Sequence, residues 1–263
     1  MILEQKETVC KTSENKAISF GIRAENMGMI LDILRDKIYR NPIGSICREI
    51  ASNARDANRE VGKPNEPITI SIGNSTMFDN NQVISFTDHG PGISKDRVAN
   101  IFVNYGASTK REDNEQTGGF GLGCKTPFAY TDQFAVVTTV DKKKYTYVAS
   151  IDKTRCGQLF LFDEVDTKDS NGTSIIVPIK HGDRDSFEKE THKSTLFWSV
   201  KPNYKGFERT VPNYTVVQET NELLLVKLDI RSSLLSDYVI GTIVDNIFYE
   251  VEGEGLDLPY RNS

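Results

Sequence analysis

Four short strand-like stretches in close succession constrain the fold of this chain more than any other feature of its sequence. They are separated by turn signals such as Asp-Lys-Lys-Lys, and they cover 133–140, 144–151, 157–164 and 172–180. Strands joined by short polar connections usually pair with their neighbours in antiparallel fashion. We therefore expect this part of the chain to form a meandering antiparallel sheet.

The part of the chain before these strands combines helices with further strands. Apolar residues recur at helical spacing over 42–60, and Pro42 suits the first turn of a helix there. Ser94 is a candidate N-cap for a short helix over 94–102. The other predicted elements of this part are strands at 17–24, 68–72 and 83–87 and helices at 25–40 and 124–131.

The pattern changes again in the last third of the chain. From residue 181 the sequence is helical in character, and a loop follows near residue 200. We place a domain boundary there, with a first domain over 1–200 and the start of a second domain over 201–263. The sequence stops without an obvious closing element, so we expect the second domain to be truncated. Its strand-like pieces cover 214–218, 223–230 and 237–251.

The charge balance and the lengths of the apolar stretches exclude several classes of partner. Lys and Arg number 32 against 37 Asp and Glu, for a formal net charge of -5, so no global positive field attracts nucleic acid. The apolar stretches are much shorter than the ~18–20 residues that span a bilayer. The N-terminus lacks the apolar core of a signal peptide. We expect a cytoplasmic protein with no transmembrane segment and no evident nucleic-acid binding, and peripheral membrane association stays open.

Three polar residues on the helix at 42–60 form the first candidate site. Glu49, Asn53 and Asp56 are spaced four and three residues apart, which places their side chains on one helix face. A row of this kind is either an ordinary solvated face or a set of groups that project together into a site. The spacing alone leaves both alternatives open.

Three glycine-containing segments follow this helix along the chain. Asp-His-Gly-Pro-Gly at 88–92 comes directly after a strand, Gly-Gly-Phe-Gly-Leu-Gly occupies 118–123, and Asn-Gly-Thr at 171–173 opens the last of the four strands. Closely spaced glycines leave backbone N–H groups free to surround phosphate oxygens. The second segment fits neither a P-loop nor a dinucleotide-binding fingerprint. Taken singly, each segment is also compatible with an ordinary turn or hinge.

In this order, the helix motif and the three glycine-containing segments resemble the GHKL ATPase family, which includes gyrase B, HSP90, histidine kinases and MutL. The resemblance covers about 43–180. It implies a Bergerat fold, which is an α/β two-layer sandwich with a mixed, mostly antiparallel sheet and helices on one face. A closer similarity, to the rapid-lysis A (rIIA-like) family of large tailed phages, rests on the residues after the glycine run, namely Lys125, Pro127, Phe128, Tyr130, Thr131 and Asp132.

The resemblance implies a role for the main polar residues. Glu49 corresponds to the general base that activates the attacking water, and Asn53 corresponds to the ligand of Mg²⁺. Asp56 corresponds to a carboxylate that lines the pocket beside them. Asp88 is expected to accept a hydrogen bond from the amino group of adenine, and Thr173 to support that carboxylate through a water.

The same resemblance implies the remaining contacts with ATP. Gly92 and Ile93 are expected to form the floor and wall near adenine, and the segment 104–118 corresponds to the ATP lid. Lys125 either contacts phosphate or packs its stem and points to solvent. The residues implied near the phosphates are Asn104, Lys110, Gly119, Phe120, Gly121, Leu122 and Gly123.

The function implied by the resemblance is Mg²⁺-dependent ATP binding and hydrolysis. Lid closure is expected to act on a protein partner, and the chain is expected to form a homodimer. We could place no counterpart in 201–263 of the lysine that gyrase- and MutL-like members contribute from a second domain, so hydrolysis stays open. Two alternatives remain: a histidine-kinase-like phosphotransfer domain, and a module that docks a protein in an ATP-dependent way without hydrolysis.

Overall fold

The computed structural model describes residues 40–98, 123–153, 157–220, 224–228, 241–244 and 247–250. The predicted strand at 17–24 and, apart from Arg40, the predicted helix at 25–40 lie outside these ranges. The same holds for the lid segment 104–118.

A seven-stranded sheet forms one layer of the molecule. Its strand order is β5-β4-β3-β6-β2-β1-β7. Every neighbouring pair is antiparallel except β1 and β7, which are parallel, so the expected mixed and mostly antiparallel sheet is confirmed. The strands are β1 Thr69–Ser75, β2 Asn81–Thr87, β3 Gln133–Val140, β4 Lys143–Ile151, β5 Gly157–Asp166, β6 Gly172–Pro178 and β7 Asn203–Lys205.

Two of the helices begin where the sequence signals predict. Helix α1 spans Pro42–Glu60, and the Asn41 side chain caps it by accepting a hydrogen bond from the Gly44 N–H at 2.9 Å. The short α2 covers Lys95–Arg97, with Ser94 as its cap. No helix in the described ranges is long and apolar enough to cross a membrane. The other helical elements are α3 Arg184–Thr195 and two 3-10 helices, Thr76–Phe78 and Gly123–Ala129.

The core lies between the sheet and the helices. The apolar stripe of α1, with Ile46, Ile50 and Ala54, is almost completely buried in one cluster with inward-facing residues of the strands. Burial of an isoleucine side chain contributes about 1.5–3 kcal/mol. Helix α3 packs beside α1, and its Thr191 hydroxyl lies 3.3 Å from Cys47 Sγ. This arrangement is an α/β sandwich, as expected.

Two differences from the predicted elements involve short or interrupted strands. β7 was not predicted, because three residues are too few to show an alternating pattern, and its pairing with β1 depends on the tertiary fold. The sheet therefore continues beyond residue 200, while the domain boundary itself stays a prediction. The stretch predicted as one strand over 237–251 contains two antiparallel strands, β10 and β11. The strands of this last part are β8 Tyr214–Glu219, β9 Leu224–Leu228, β10 Gly241–Val244 and β11 Ile247–Glu250.

Candidate functional site

Two of the three polar residues on α1, Glu49 and Asn53, contact Gly123 at the end of the glycine run. A Cβ atom placed on Gly123 would lie 3.1 Å from Glu49 Oε2 and 3.2 Å from Asn53 Nδ2. Both distances are shorter than an ordinary van der Waals contact of 3.4–4 Å. These two side chains therefore pack directly on the Gly123 backbone. The fold thus brings Gly123 to two residues that lie about 70 positions earlier in the sequence.

Asp56, the third member of the row, has a different environment. It is 2% exposed, and its Oδ1 lies 3.5 Å from the Arg59 guanidinium one turn along the helix. By contrast, the Glu49 side chain keeps 26% of its surface exposed, with Arg48 Nε 3.5 Å from its Oε1. Water therefore reaches the carboxylate of Glu49, whereas that of Asp56 is enclosed.

The carboxylate of Asp88 lies at the end of β2 and joins this strand to β6. Its Oδ1 accepts hydrogen bonds from the Gly90 N–H at 2.9 Å and the Thr173 N–H at 3.0 Å. In the described part of the chain, Oδ2 has no hydrogen-bond partner. Asp88 is 8% exposed, and desolvation raises the pKa of its carboxyl to about 6 although the two N–H groups act in the opposite direction.

The loop after Asp88 packs against the second half of α1 and is hydrogen-bonded to it. A Cβ atom on Gly90 would lie 2.6 Å from the Cβ of Ala57, so only glycine allows this approach. The His89 N–H donates to Asn58 Oδ1 at 2.7 Å, and Asn58 Nδ2 donates to the Glu66 carbonyl at 2.9 Å. Sequence reasoning did not identify Asn58. Its only signal was a polar residue on the otherwise apolar side of the helix.

The same loop also packs against β3 and is hydrogen-bonded to it. Gly92 has a φ of +77°, and a Cβ there would collide with the Thr139 carbonyl oxygen. The Ile93 N–H donates to Thr138 Oγ1 at 2.8 Å, and the Thr138 and Thr173 hydroxyl oxygens are 3.1 Å apart. Thr138 was also missed, because a threonine within an apolar strand carries no functional signal until its partners are known.

Lys125 follows the glycine run inside the 3-10 helix Gly123–Ala129. It is 7% exposed, and its Nζ lies 3.4 Å from Cys124 Sγ. The stem of Lys125 is therefore packed in the fold, and both alternatives for its ammonium group stay predictions.

Several predicted site residues lie outside the described ranges, namely Asn104, Lys110, Gly119, Phe120, Gly121 and Leu122. A small cavity of about 20 Å³ lies beside α1, with Arg55, Arg59 and Trp198 among its lining residues. It contains none of the predicted site residues and is far too small for a nucleotide. The candidate site is therefore defined by the polar side chains above rather than by this cavity.

The donor set of the site suits a hard metal ion better than a soft one. No group of three His, Cys, Asp or Glu side chains that could hold a metal occurs within the described ranges. Asn53, which lies beside Gly123, has an amide oxygen of the type that Mg²⁺ accepts when phosphates and waters complete its coordination. The residues present therefore fit a magnesium ion that is bound together with a polyphosphate.

Comparison with known protein families adds an independent finding. Residues 39–180 match the family model described as histidine kinase-, DNA gyrase B-, and HSP90-like ATPase. The match spans more than half of the chain and contains Glu49, Asn53, Asp88 and Thr173. No curated protein matches the chain.

Proposed function

The chain belongs to the histidine kinase-, DNA gyrase B-, and HSP90-like ATPase family, and on this basis we propose that it binds ATP with Mg²⁺ and hydrolyses it to ADP and phosphate. The observation that carries the proposal is the contact of Glu49 and Asn53 with Gly123, the last residue of the glycine run. This contact puts a carboxylate and an amide where a glycine-rich segment ends. That combination suits a polyphosphate and a water molecule that attacks it.

Glu49 is proposed as the general base of hydrolysis. Its half-buried carboxylate is reached by water, and it takes a proton from the water whose oxygen attacks the γ-phosphorus, while ADP leaves. Asn53 is proposed to hold Mg²⁺, which when bound neutralises charge on the phosphate oxygens. Asp56 is proposed to line the pocket beside them.

Asp88 is proposed as the group that recognises the base. Its Oδ1 is used by two backbone N–H groups, which leaves Oδ2 as an acceptor for the exocyclic amino group of adenine. Guanine has a carbonyl oxygen at the corresponding position, and two acceptors would then face each other without a proton between them. Gly92, Ile93 and Thr173 complete this end of the proposed site.

The finer features of the function remain proposals of the same kind. We propose that the segment 104–118 closes over bound ATP, that the chain forms a homodimer, and that closure acts on a protein partner. The first domain is proposed to span 1–200 and a second to begin at 201. Membership of the phage rapid-lysis A family is proposed on the pattern from Lys125 to Asp132, within which the Tyr130 hydroxyl accepts a hydrogen bond from the Lys180 N–H and donates one to Asp183.

The experiment that tests the ATPase proposal compares turnover with binding in Glu49→Ala. Phosphate release from ATP is measured together with the affinity for a non-hydrolysable ATP analogue. We expect turnover to fall by about 100-fold or more, because general-base catalysis contributes roughly 10²–10⁴-fold, while the affinity stays within a few-fold of wild type. Glu208→Ala is the control, because Glu208 is an exposed residue paired with Arg184 and is not part of the proposed site.

Three results would contradict the proposal. Wild-type protein that binds ATP without turnover favours the docking alternative. Transfer of labelled phosphate to protein instead of water favours the phosphotransfer alternative. A Glu49→Ala variant with full turnover shows that this carboxylate is not the base.

A further inference from the structure

The hydroxyl group of Thr138 occupies a junction between three segments of the candidate site. It lies on β3 and is 1% exposed. It accepts a hydrogen bond from the Ile93 N–H at 2.8 Å, it donates to the Gly172 carbonyl at 3.2 Å, and its oxygen lies 3.1 Å from Thr173 Oγ1. One buried side chain therefore connects the loop after β2 with the start of β6.

The number of protons in this junction determines how the two hydroxyl groups are oriented. A threonine hydroxyl has one proton and two lone pairs. The Gly172 carbonyl can only accept, and one orientation of the Thr138 hydroxyl directs its proton there. The lone pairs of Thr138 then receive the Ile93 N–H and the hydroxyl proton of Thr173. Because the proton of Thr173 is used in this way, its lone pairs remain for another donor.

Thr173 and Asp88 are connected by two hydrogen bonds, which hold the two residues next to each other. The Thr173 N–H donates to Asp88 Oδ1 at 3.0 Å, and the Asp88 N–H donates to the Thr173 carbonyl at 2.9 Å. In this arrangement Asp88 Oδ2 and the Thr173 hydroxyl oxygen are both acceptors. Where a site presents only acceptors, an exocyclic amino group of the ligand can donate to them, whereas a carbonyl oxygen at the same position cannot.

We propose that Thr138 is a positioning residue that sets the base specificity of the nucleotide site by holding the Thr173 hydroxyl as an acceptor beside Asp88. The inference rests on the proposed ATP binding. Thr138 does not touch the nucleotide, and it acts through Thr173 and through the Ile93 backbone. Removal of its hydroxyl leaves the Thr173 proton free to rotate, so that Thr173 can donate to a carbonyl oxygen such as that of guanine.

A second hydroxyl pair in the same sheet provides a matched control. Thr87 Oγ1 and Ser174 Oγ are 2.9 Å apart, and these residues directly adjoin Asp88 and Thr173 in the chain. Because side chains alternate along a strand, this pair lies on the opposite face of the sheet. Thr87→Val removes the same chemical group as Thr138→Val, from a part-buried residue outside the proposed site.

The experiment measures dissociation constants for non-hydrolysable ATP and GTP analogues by calorimetry. The variants are Thr138→Val, Thr138→Ser and Thr87→Val, and each is first checked for cooperative unfolding. We expect Thr138→Val to reduce the preference for ATP over GTP by about tenfold, because the Thr173 hydroxyl can then donate a hydrogen bond to the guanine carbonyl oxygen. Thr138→Ser restores the preference because it restores the hydroxyl, and Thr87→Val leaves it unchanged.

Thr173→Val removes the other hydroxyl of the Thr138–Thr173 pair. It provides the test if Thr138→Val does not fold. It removes the oriented hydroxyl while keeping the two hydrogen bonds between the Thr173 backbone and Asp88. The site then loses an acceptor without gaining a donor for guanine, so we expect a loss of preference that is smaller than in Thr138→Val. An unchanged ATP preference in folded Thr138→Val or Thr173→Val overturns the inference, and so does an equal loss in Thr87→Val or in Thr138→Ser. If wild type binds neither analogue, the proposed function fails together with the positioning role. If wild type binds the ATP analogue and the variants keep its preference for ATP, only the positioning role is overturned.

Discussion

The two ends of the candidate site are built in different ways. At the Asp88 end, buried side chains are connected by directional hydrogen bonds that run from α1 through the loop after β2 to β3 and β6. At the Glu49 end, two polar side chains pack on the backbone of Gly123, and the contact depends on the absence of a side chain there. Hydrogen bonds hold the Asp88 end together, whereas the Glu49 end depends on close packing of two side chains against the Gly123 backbone. Substitutions should therefore affect the two ends differently.

The largest effect is expected where the loop after β2 crosses β3. Gly92→Ala forces a non-glycine residue to adopt a φ of +77° and drives its Cβ into the Thr139 carbonyl oxygen. We expect a loss of stability of about 3–5 kcal/mol, from the left-handed backbone together with the overlap, and loss of nucleotide binding. Urea unfolding measures the first and calorimetry the second.

Gly62→Ala separates the two causes in this prediction. Gly62 has a nearly identical φ of +75°, but nothing lies within 4 Å of its Cβ position. This variant should lose only about 1–2 kcal/mol, the cost of the left-handed conformation alone. Equal losses in both variants would show that the contact with Thr139 contributes nothing.

Asp88→Asn is expected to stabilise the fold while weakening binding. The pKa of the folded-state carboxyl, about 6, lies above its ordinary value of 3.8, so the folded protein holds the proton more tightly than the unfolded chain. Wild-type stability therefore decreases as pH rises from about 4 to about 6 and stays reduced above that range. An amide cannot ionise, so the variant should exceed wild type by up to about 3 kcal/mol at pH 8.

The pH dependence distinguishes this explanation from improved packing. The stability advantage of Asp88→Asn over wild type should become small near pH 4, close to the ordinary carboxyl pKa of 3.8, and urea unfolding at pH 4 and pH 8 measures it. An advantage of equal size at both pH values would contradict the ionisation account. In wild type, ATP affinity should fall as pH drops below about 6, because the protonated carboxyl is a weaker acceptor.

Gly123→Ala is expected to act on turnover more than on stability. A Cβ at 3.1 Å from Glu49 Oε2 and 3.2 Å from Asn53 Nδ2 requires both side chains to shift by a few tenths of an ångström. We expect phosphate release to decrease by about tenfold, since small misplacement of catalytic groups is costly. Gly73→Ala is the control because its Cβ position is open. Unchanged turnover in Gly123→Ala would show that the Glu49 end tolerates a side chain.

The smallest effect is expected from an ion-pair cluster on the surface. Glu164 accepts hydrogen bonds from Lys95 Nζ at 2.5 Å and Lys143 Nζ at 3.0 Å, and these bonds, with that from Lys95 the largest cause, lower the pKa of its carboxyl. Glu164→Gln should leave nucleotide affinity unchanged and shift the unfolding midpoint only slightly. The shift should vanish at high salt, because exposed ion pairs are screened. A change in affinity would indicate that α2 and β5 influence the site.

The sequence predicts the elements whose signals are local. α1 spans Pro42–Glu60 as expected, because its first-turn proline and its apolar stripe both lie within the segment itself. The strands from β1 to β6 were predicted to within a few residues for the same reason. β7 could not be predicted, since it exists only through parallel pairing with β1.

The sequence predicts only those residues of the candidate site that belong to a recognisable motif. Glu49, Asn53, Asp88 and Thr173 stand in recognisable patterns, so their residue types and order identified them. Asn58 and Thr138 have no such pattern, and their importance appears only when the fold brings the His89 and Ile93 N–H groups to them. Buried hydrogen bonds between distant segments are therefore what sequence reasoning missed.

The most direct test of the account is a calorimetric titration of the purified chain with a non-hydrolysable ATP analogue, with and without Mg²⁺, repeated on Asp88→Asn. We expect wild type to bind the analogue more tightly with Mg²⁺, and the variant to bind about 10- to 100-fold more weakly, since a hydrogen bond to a charged group contributes roughly 1.5–3 kcal/mol. A folded wild-type chain that binds no analogue, or an Asp88→Asn variant that binds as well as wild type, would contradict the account.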